Sequence, residues 1–304
     1  MSLVLGLPRG ERTTAALNLA AQLARSSGED LVVCAVGPAT WPPSLAKVDA
    51  EYQEYLDQVI QQALDAAKAA LPTDVSASFL AVRARSTPAG LLEVAEQQGA
   101  SMLVLGSSSA GGIGRVSLGS VADHVLHHAP IPVAMAPRGY RCRPGPDATV
   151  RRVTAGYGAT DGSAQFAVAA AGLAARFGAT LRLASFAVRS GPVLTAGVGL
   201  HAEDSVLGEW SQHIEQVQRD TLTQLAELPA PPPALESTIG YGRDWHESVE
   251  DVGWTDGDLL AVGSSSVGPL ARVFLGSRAS KIVRNSPVPV VVLPRSNEHS
   301  AGST

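Results

Sequence analysis

The residues best suited to chemistry lie in a stretch written twice, GSSSAGGIGRVSLGS from Gly106 to Ser120 and GSSSVGPLARVFLGS from Gly263 to Ser277. One copy opens on Gly106, Ser107, Ser108 and Ser109, the other on Gly263, Ser264, Ser265 and Ser266. They close on Gly119–Ser120 and Gly276–Ser277. Small residues let the backbone come close to anionic oxygens, and serine hydroxyls add donors without bulk. Where such a stretch leads from a strand into a helix, the helix adds unpaired N–H groups and the positive end of its dipole. The pattern therefore reads as a phosphate cradle, or more plainly as a strand–helix loop of small residues. The same glycines and serines at the same spacing in both copies favour the cradle. Arg115 and Arg272 hold equivalent places inside it, where each either neutralises a phosphate or simply faces solvent.

Other groupings carry less. His124, His127 and His128 have the helical spacing of metal ligands, but their counterparts are Lys281, Arg284 and Asn285, which suit a basic last helical turn and not ligation. HESVED, from His246 to Asp251, reads as a solvated helix start with no analogue in the first half. No glycine–x–serine–x–glycine elbow occurs, and no lysine follows the glycines as in a P-loop. We expect no catalytic residue and no metal site; catalysis would be at most slow hydrolysis.

The elements that must position the cradle repeat with it. Residues 106–138 and 263–295 match at 16 of 33 positions without a gap, where chance gives about two. That offset of 157 residues is far longer than a solenoid unit, so a whole domain is duplicated. In the first half, apolar runs at 3–7, 30–36, 75–84, 101–106 and 131–137 alternate with helical stretches at 13–25, 45–71, 87–99 and 116–129. The second half repeats the order, with runs at 153–158, 180–188, 235–240, 258–263 and 288–294. Its helices are expected at 163–177, 204–228 and from about 276. Apolar runs without clean alternation, separated by helices, indicate parallel strands covered on both faces. The class is α/β: a five-stranded doubly wound unit, twice. The expected divisions are a first domain at 1–140, a linker at 141–149, a second domain at 150–296 and a disordered tail at 297–304. APIPVAMAPRG and SPVPVVVLPRS bracket short strands with prolines, a device of edge strands open to pairing.

The 304 residues include 45% hydrophobic and 17% charged residues, enough to bury a full core. A formal net charge of −5 argues against a nucleic-acid surface. Two cysteines form no disulfide framework, and Cys34 falls in an apolar strand pattern suited to a free buried thiol. No charged leader opens the chain and no run approaches the roughly 20 apolar residues of a membrane span, so the expected compartment is the cytoplasm.

With these residues in view, the chain resembles a tandem universal stress protein over nearly its whole length. The family pattern is glycine, two residues, glycine, nine residues, glycine, then serine or threonine. Gly106 and Gly263 match its first position, and Gly119–Ser120 and Gly276–Ser277 match its close; Ser109 and Ser266 stand where the second glycine is expected. The resemblance implies sheets of strand order 3-2-1-4-5, joined about a pseudo-twofold axis through their last strands. It implies an adenine nucleotide, ATP with magnesium, on the Gly/Ser loop, and a first-strand carboxylate near it. Asp161 supplies that carboxylate in the second half, with helix capping as its plainer role. Aligned at an offset of 152, Arg9 takes that place in the first half, which makes the second the better site. Val36 and Val188, at the ends of the second strands, are implied to lie against the base. The alternative is an interaction module without nucleotide, acting on an unidentified protein partner. Whether two chains associate further is left open.

Overall fold

The computed structural model describes residues 1–8, 14–39, 46–160, 162–189, 200–264 and 275–294. The first half runs β1 (Ser2–Gly6), α1 (Thr14–Ser27), β2 (Asp30–Pro38), α2 (Ala46–Ala70) and β3 (Ala77–Ala84). It continues with α3 (Thr87–Gln97), β4 (Ala100–Gly106), α4 (Ser120–His128) and β5 (Val133–Ala136). The second half repeats the order as β6 (Arg152–Gly156), α5 (Ser163–Arg176), β7 (Thr180–Val188), α6 (Leu200–Ala226) and β8 (Leu235–Gly242). It closes with α7 (Trp245–Glu250), β9 (Asp258–Gly263), α8 (Ser277–Asn285) and β10 (Val290–Leu293). The expected tail lies outside the described residues.

The strand order is 3-2-1-4-5 in each half, but the count of sheets differs from the expectation. One ten-stranded sheet runs β3-β2-β1-β4-β5-β10-β9-β6-β7-β8. Every pairing is parallel except β5 with β10, which is antiparallel. There Ala134 faces Val291, flanked by Val133 against Val292 and Met135 against Val290. At the offset of 157, Ala134 and Val291 are each other's counterparts, so the pseudo-twofold axis passes through this pair. Burial follows the order: β5 and β10 are buried at all four residues, whereas the outermost strands β3 and β8 are half-buried or exposed at all but one residue each. The proline-flanked strands lie at the edge of each half and at the centre of the whole.

Alternation along the strands sends side chains into two apolar layers. Leu3, Leu5 and Val33 face α1 and α2, in a cluster that continues through Ala134 and Val291 to α5 and α6. Val4, Val32 and Cys34 face α3 and α4, in a second cluster that continues through Val133 and Val290 to α8. Neither layer stops at the join. At ~25 cal/mol per Å² of apolar surface, this burial on both faces is the main force holding the halves as one body.

The segment between the halves is held to α1. Asn18 Nδ2 donates to the Tyr140 carbonyl (3.1 Å), Gln22 Nε2 to the Thr149 carbonyl (3.1 Å), and the Val150 N–H to Ser26 Oγ (2.7 Å). Arg176 on α5 pairs with Glu29 and donates to Ser101 Oγ at 2.7 Å, bridging the halves again.

Candidate functional site

In each half the strand order reverses beside the first strand, between β1 and β4 and between β6 and β9. Ligands of open α/β sheets sit at the carboxyl ends of strands at this switch point. β4 ends there on Gly106 and β9 on Gly263, and the repeated loop leads from each into α4 or α8. The helical pattern expected from residue 116 starts only at Ser120, because the loop extends to Gly119.

Both helices start without a side-chain cap: Gly119 precedes α4 and Gly276 precedes α8, and neither position makes a side-chain cap bond. The starts of α3 and α7 carry such caps. Ser86 Oγ accepts from the Ala89 N–H (3.3 Å) at α3, and Asp244 Oδ1 accepts from the Glu247 N–H (2.9 Å) at α7. The first N–H groups of α4 and α8 are thus free of the serine or aspartate that usually satisfies one of them.

The first-half loop is described throughout, and much of its polarity is turned inward. Ser107 Oγ donates to the Ala136 carbonyl (2.7 Å) and accepts from the Ser117 N–H (3.2 Å), while the Ser108 N–H goes to the Ser117 carbonyl (2.8 Å). Gly119 packs on Ser108; a Cβ there would lie 3.3 Å from Ser108 Cβ. Arg138 donates to the Gly111 carbonyl (2.8 Å) and the Ser109 carbonyl (3.3 Å), and its backbone pairs with Gly114 and Arg115. Arg138 is a residue the site reading passed over, although it and Arg295 end the repeated segment. Arg115 takes neither expected role. It crosses to the second half, donating to Glu250 Oε1 (2.6 Å) and to the Asn285 carbonyl (2.9 Å) at the end of α8, with His246 Nδ1 at 3.3 Å. HESVED is therefore no stray helix start: it forms most of α7, the counterpart of α3, and buries Ser248 and Val249.

In the second half, Gly263 is half-buried over Phe166 of α5, whose ring would lie 3.0 Å from a Cβ, and Ser264 is buried with its N–H on the Leu293 carbonyl (3.1 Å). Ser265, Ser266, Arg272 and Asp161 lie outside the described residues. The position just before α5 is held by Gly162, with φ 83° and no side-chain cap bond, so the cap position assigned to Asp161 belongs to Gly162. Three residues earlier Ala159 has φ 47°, the one non-glycine residue of positive φ among those described. The left-handed region costs an L-residue roughly 1 kcal/mol or more, and such strain clusters at functional sites.

Strand register corrects the alignment of the two first loops. Gly6 faces Cys34 and Gly156 faces Ala184, and the turn glycines Gly28 and Gly178 both have positive φ, so the halves correspond at an offset of 150 on both sides. Counted this way Asp161 corresponds to Glu11, and Arg9 to Ala159. The offset of 152 arose because the first strands share too few identities to fix a register. Val36 and Val188 likewise cease to be counterparts: Val36 corresponds to Phe186. Val36 is buried under α3, its Cγ1 2.7 Å from where a Cβ on Gly90 would sit. Val188 is half-buried at the end of β7. Phe186 packs near Trp245 of α7, ring centroids 6.5 Å apart.

The histidines of α4 serve their own helix. His127 Nδ1 and His128 Nδ1 face the Asp123 and His124 carbonyls, and the His124 and His128 rings stack at 4.2 Å. Among the described residues no cluster could hold a metal ion.

Two doubly wound α/β halves, each with a Gly/Ser loop at its switch point and joined through their last strands, define a tandem α/β protein. The chain belongs to the universal stress protein family: that family's model matches residues 3–137 and 149–294. Universal stress proteins of Mycobacterium tuberculosis and Mycobacterium bovis are each 39% identical over 298 residues, covering 97% of this chain and all of theirs. Among solved structures, a universal stress protein of Archaeoglobus fulgidus superimposes over 97% of this chain and 98% of its own, with a TM-score of 0.59 at 17% identity. A Pseudomonas aeruginosa protein does so over 97% and 92%, with a TM-score of 0.54 at 14% identity. These two likenesses concern the fold.

Proposed function

We propose that the chain is an adenine-nucleotide-binding module of the stress response, taking ATP with magnesium at the Gly/Ser loops, the second half being the better site. The observation that carries this reading is the pair of uncapped helix starts, Gly119–Ser120 and Gly276–Ser277, both at the switch edge, while α3 and α7 carry side-chain caps. An anion is the partner such N–H groups lack. In this reading Gly263, Ser264, Ser265, Ser266, Gly276 and Ser277 surround the phosphates, and Asp161 accepts from ribose hydroxyls or the adenine amine. Gly106 to Ser109 with Gly119 and Ser120 form the weaker counterpart, since Ser107 and the Ser108 N–H already have partners within the loop. The strained Ala159 beside Asp161 supports the preference for the second half. Cys34, free and buried, suits a reducing cytoplasm.

A second reading, an interaction module without nucleotide, is favoured by the first loop, which is closed on itself and tied by Arg115 to the other half.

Titration calorimetry of nucleotide-stripped protein with ATP and magnesium, beside Asp161→Ala, Gly276→Val and Gly119→Val, separates the two. One site per chain, abolished by Asp161→Ala and Gly276→Val and kept in Gly119→Val, is the expected result. No heat at millimolar ATP, with circular dichroism unchanged, overturns the nucleotide reading.

A further inference from the structure

One side chain of the first Gly/Ser loop does its bonding in the second half. The backbone of Arg115 is fixed at home: its carbonyl accepts from the Arg138 N–H (3.1 Å), and the Gly114 N–H before it donates to the Arg138 carbonyl (2.8 Å). Its guanidinium joins the last residues of two helices across the pseudo-twofold. Nη2 donates to Glu250 Oε1 at the end of α7 (2.6 Å), and Nη1 to the Asn285 carbonyl at the end of α8 (2.9 Å). A cation there complements the helix dipole and satisfies a carbonyl the helix itself cannot. Both members of the ion pair recur at the offset of 157, as Arg272 and Glu93.

α8 is the helix in need of an anchor. Its nine residues bury only Ile282 and Val283, where α4 buries Ala122, Val125 and Leu126. It carries Arg278, Lys281 and Arg284 with no acid among them, and no side chain caps its start. A helix this short is marginal by itself, so its order depends on what holds it. Lys281 Nζ lies 5.7 Å from the Trp245 ring centroid, a contact with α7, and the Arg115 guanidinium ties the far ends of the same two helices.

We propose, resting on the nucleotide reading, that Arg115 is a positioning residue for the second-half cradle, supplied by the first half. It touches no nucleotide. By fixing the C-terminal end of α8 it holds the first turn, from Ser277 to Ser280, in the orientation that receives phosphate. The helix is then ordered before the nucleotide arrives, which raises affinity. The same engagement withholds the Arg115 cation from a phosphate on its own loop. One residue thus strengthens the second site and weakens the first.

The test is calorimetric titration of the intact chain with ATP and magnesium, joined to backbone hydrogen exchange of the nucleotide-free protein. Arg115→Ala should weaken ATP binding about fivefold, the low end of couplings between distant sites, and should speed exchange across α8 while α4 keeps its native rate. Arg115→Lys, which returns a cation to the Asn285 carbonyl, should recover most of the affinity. Asn18→Ala, which loosens the joining segment from α1, should lower stability and leave ATP affinity native. Glu250→Ala, which removes the carboxylate that orients the guanidinium, carries the comparison if Arg115→Ala does not fold. Native affinity without the guanidinium, α8 exchange indifferent to its loss, or an equal weakening in Asn18→Ala overturns this proposal alone. No ATP heat from the native chain overturns the nucleotide reading and the proposal with it.

Discussion

Ala159 sits in the left-handed region at φ 47°. Ala159→Gly should remove that strain and raise stability by about 1 kcal/mol in urea unfolding, less the added freedom of glycine in the unfolded chain. A fall in stability would mean that its methyl, packed against the core edge, outweighs the backbone. Glu247 sits in the first turn of α7, where the Arg243 guanidinium, with the Arg243 N–H adding to it, brings its carboxyl down to about 2 from an ordinary 4.5. A carboxyl depressed on folding favours the native state above the unfolded value and loses that contribution as pH falls through the folded one. The window is therefore about 4.5 down to about 2. Carboxyl NMR titration should find this value in the native protein and one near the ordinary range in Arg243→Ala; an unchanged titration would remove Arg243 as the cause. Arg115→Ala should cost about 1 kcal/mol, since the Glu250 pair is half-exposed and screened while the Asn285 carbonyl loses a charged donor.

Among the elements, α7 rests on glycines. A Cβ on Gly240 would lie 2.1 Å from the Ser248 carbonyl oxygen and one on Gly242 2.2 Å from the Ser248 nitrogen, both backbone atoms of that helix. Gly240→Ala should push α7 off β8 and cost about 2–3 kcal/mol in denaturant unfolding. Gly172→Ala, inside α5 with nothing within 4 Å, should instead gain up to about 1 kcal/mol. Equal effects would show that helix propensity, not contact, governs both. Elements of this kind were legible in the sequence where burial is two-sided: residues 180–188 and 258–263 read as strands because they form β7 and β9, with apolar neighbours above and below. The repeated loop was legible too, since backbone approach restricts each of its positions to small residues. What escaped was relational. Register between the first strands depends on pairings that identities do not encode, so Glu11 was read past in favour of Arg9. The destination of Arg115 depends on how the second half docks, which no local pattern carries. α7 was read as a solvated helix start without a counterpart because six residues show too little period, and because its buried Ser248 is polar.

At the scale of the molecule, one sheet and two continuous layers make the halves a single cooperative body. Far-UV circular dichroism sees both halves, while fluorescence is weighted to the second by Trp210, Trp245 and Trp254. The two should report coincident urea transitions. Val291→Asp, an unpaired charge on the pseudo-twofold axis, should cost roughly 3–5 kcal/mol and shift both together. Separate transitions in the native chain would mean that the join is weaker than the halves. The joining segment has its own consequence. Residues 143–147 are all exposed, while Tyr140 on one side and Thr149 and Val150 on the other are held to α1. A protease nick at Gly145 should therefore leave two fragments that stay together. The peptide link supplies only their local concentration, so separately made fragments should reassemble and allow each to be isotope-labelled or altered alone.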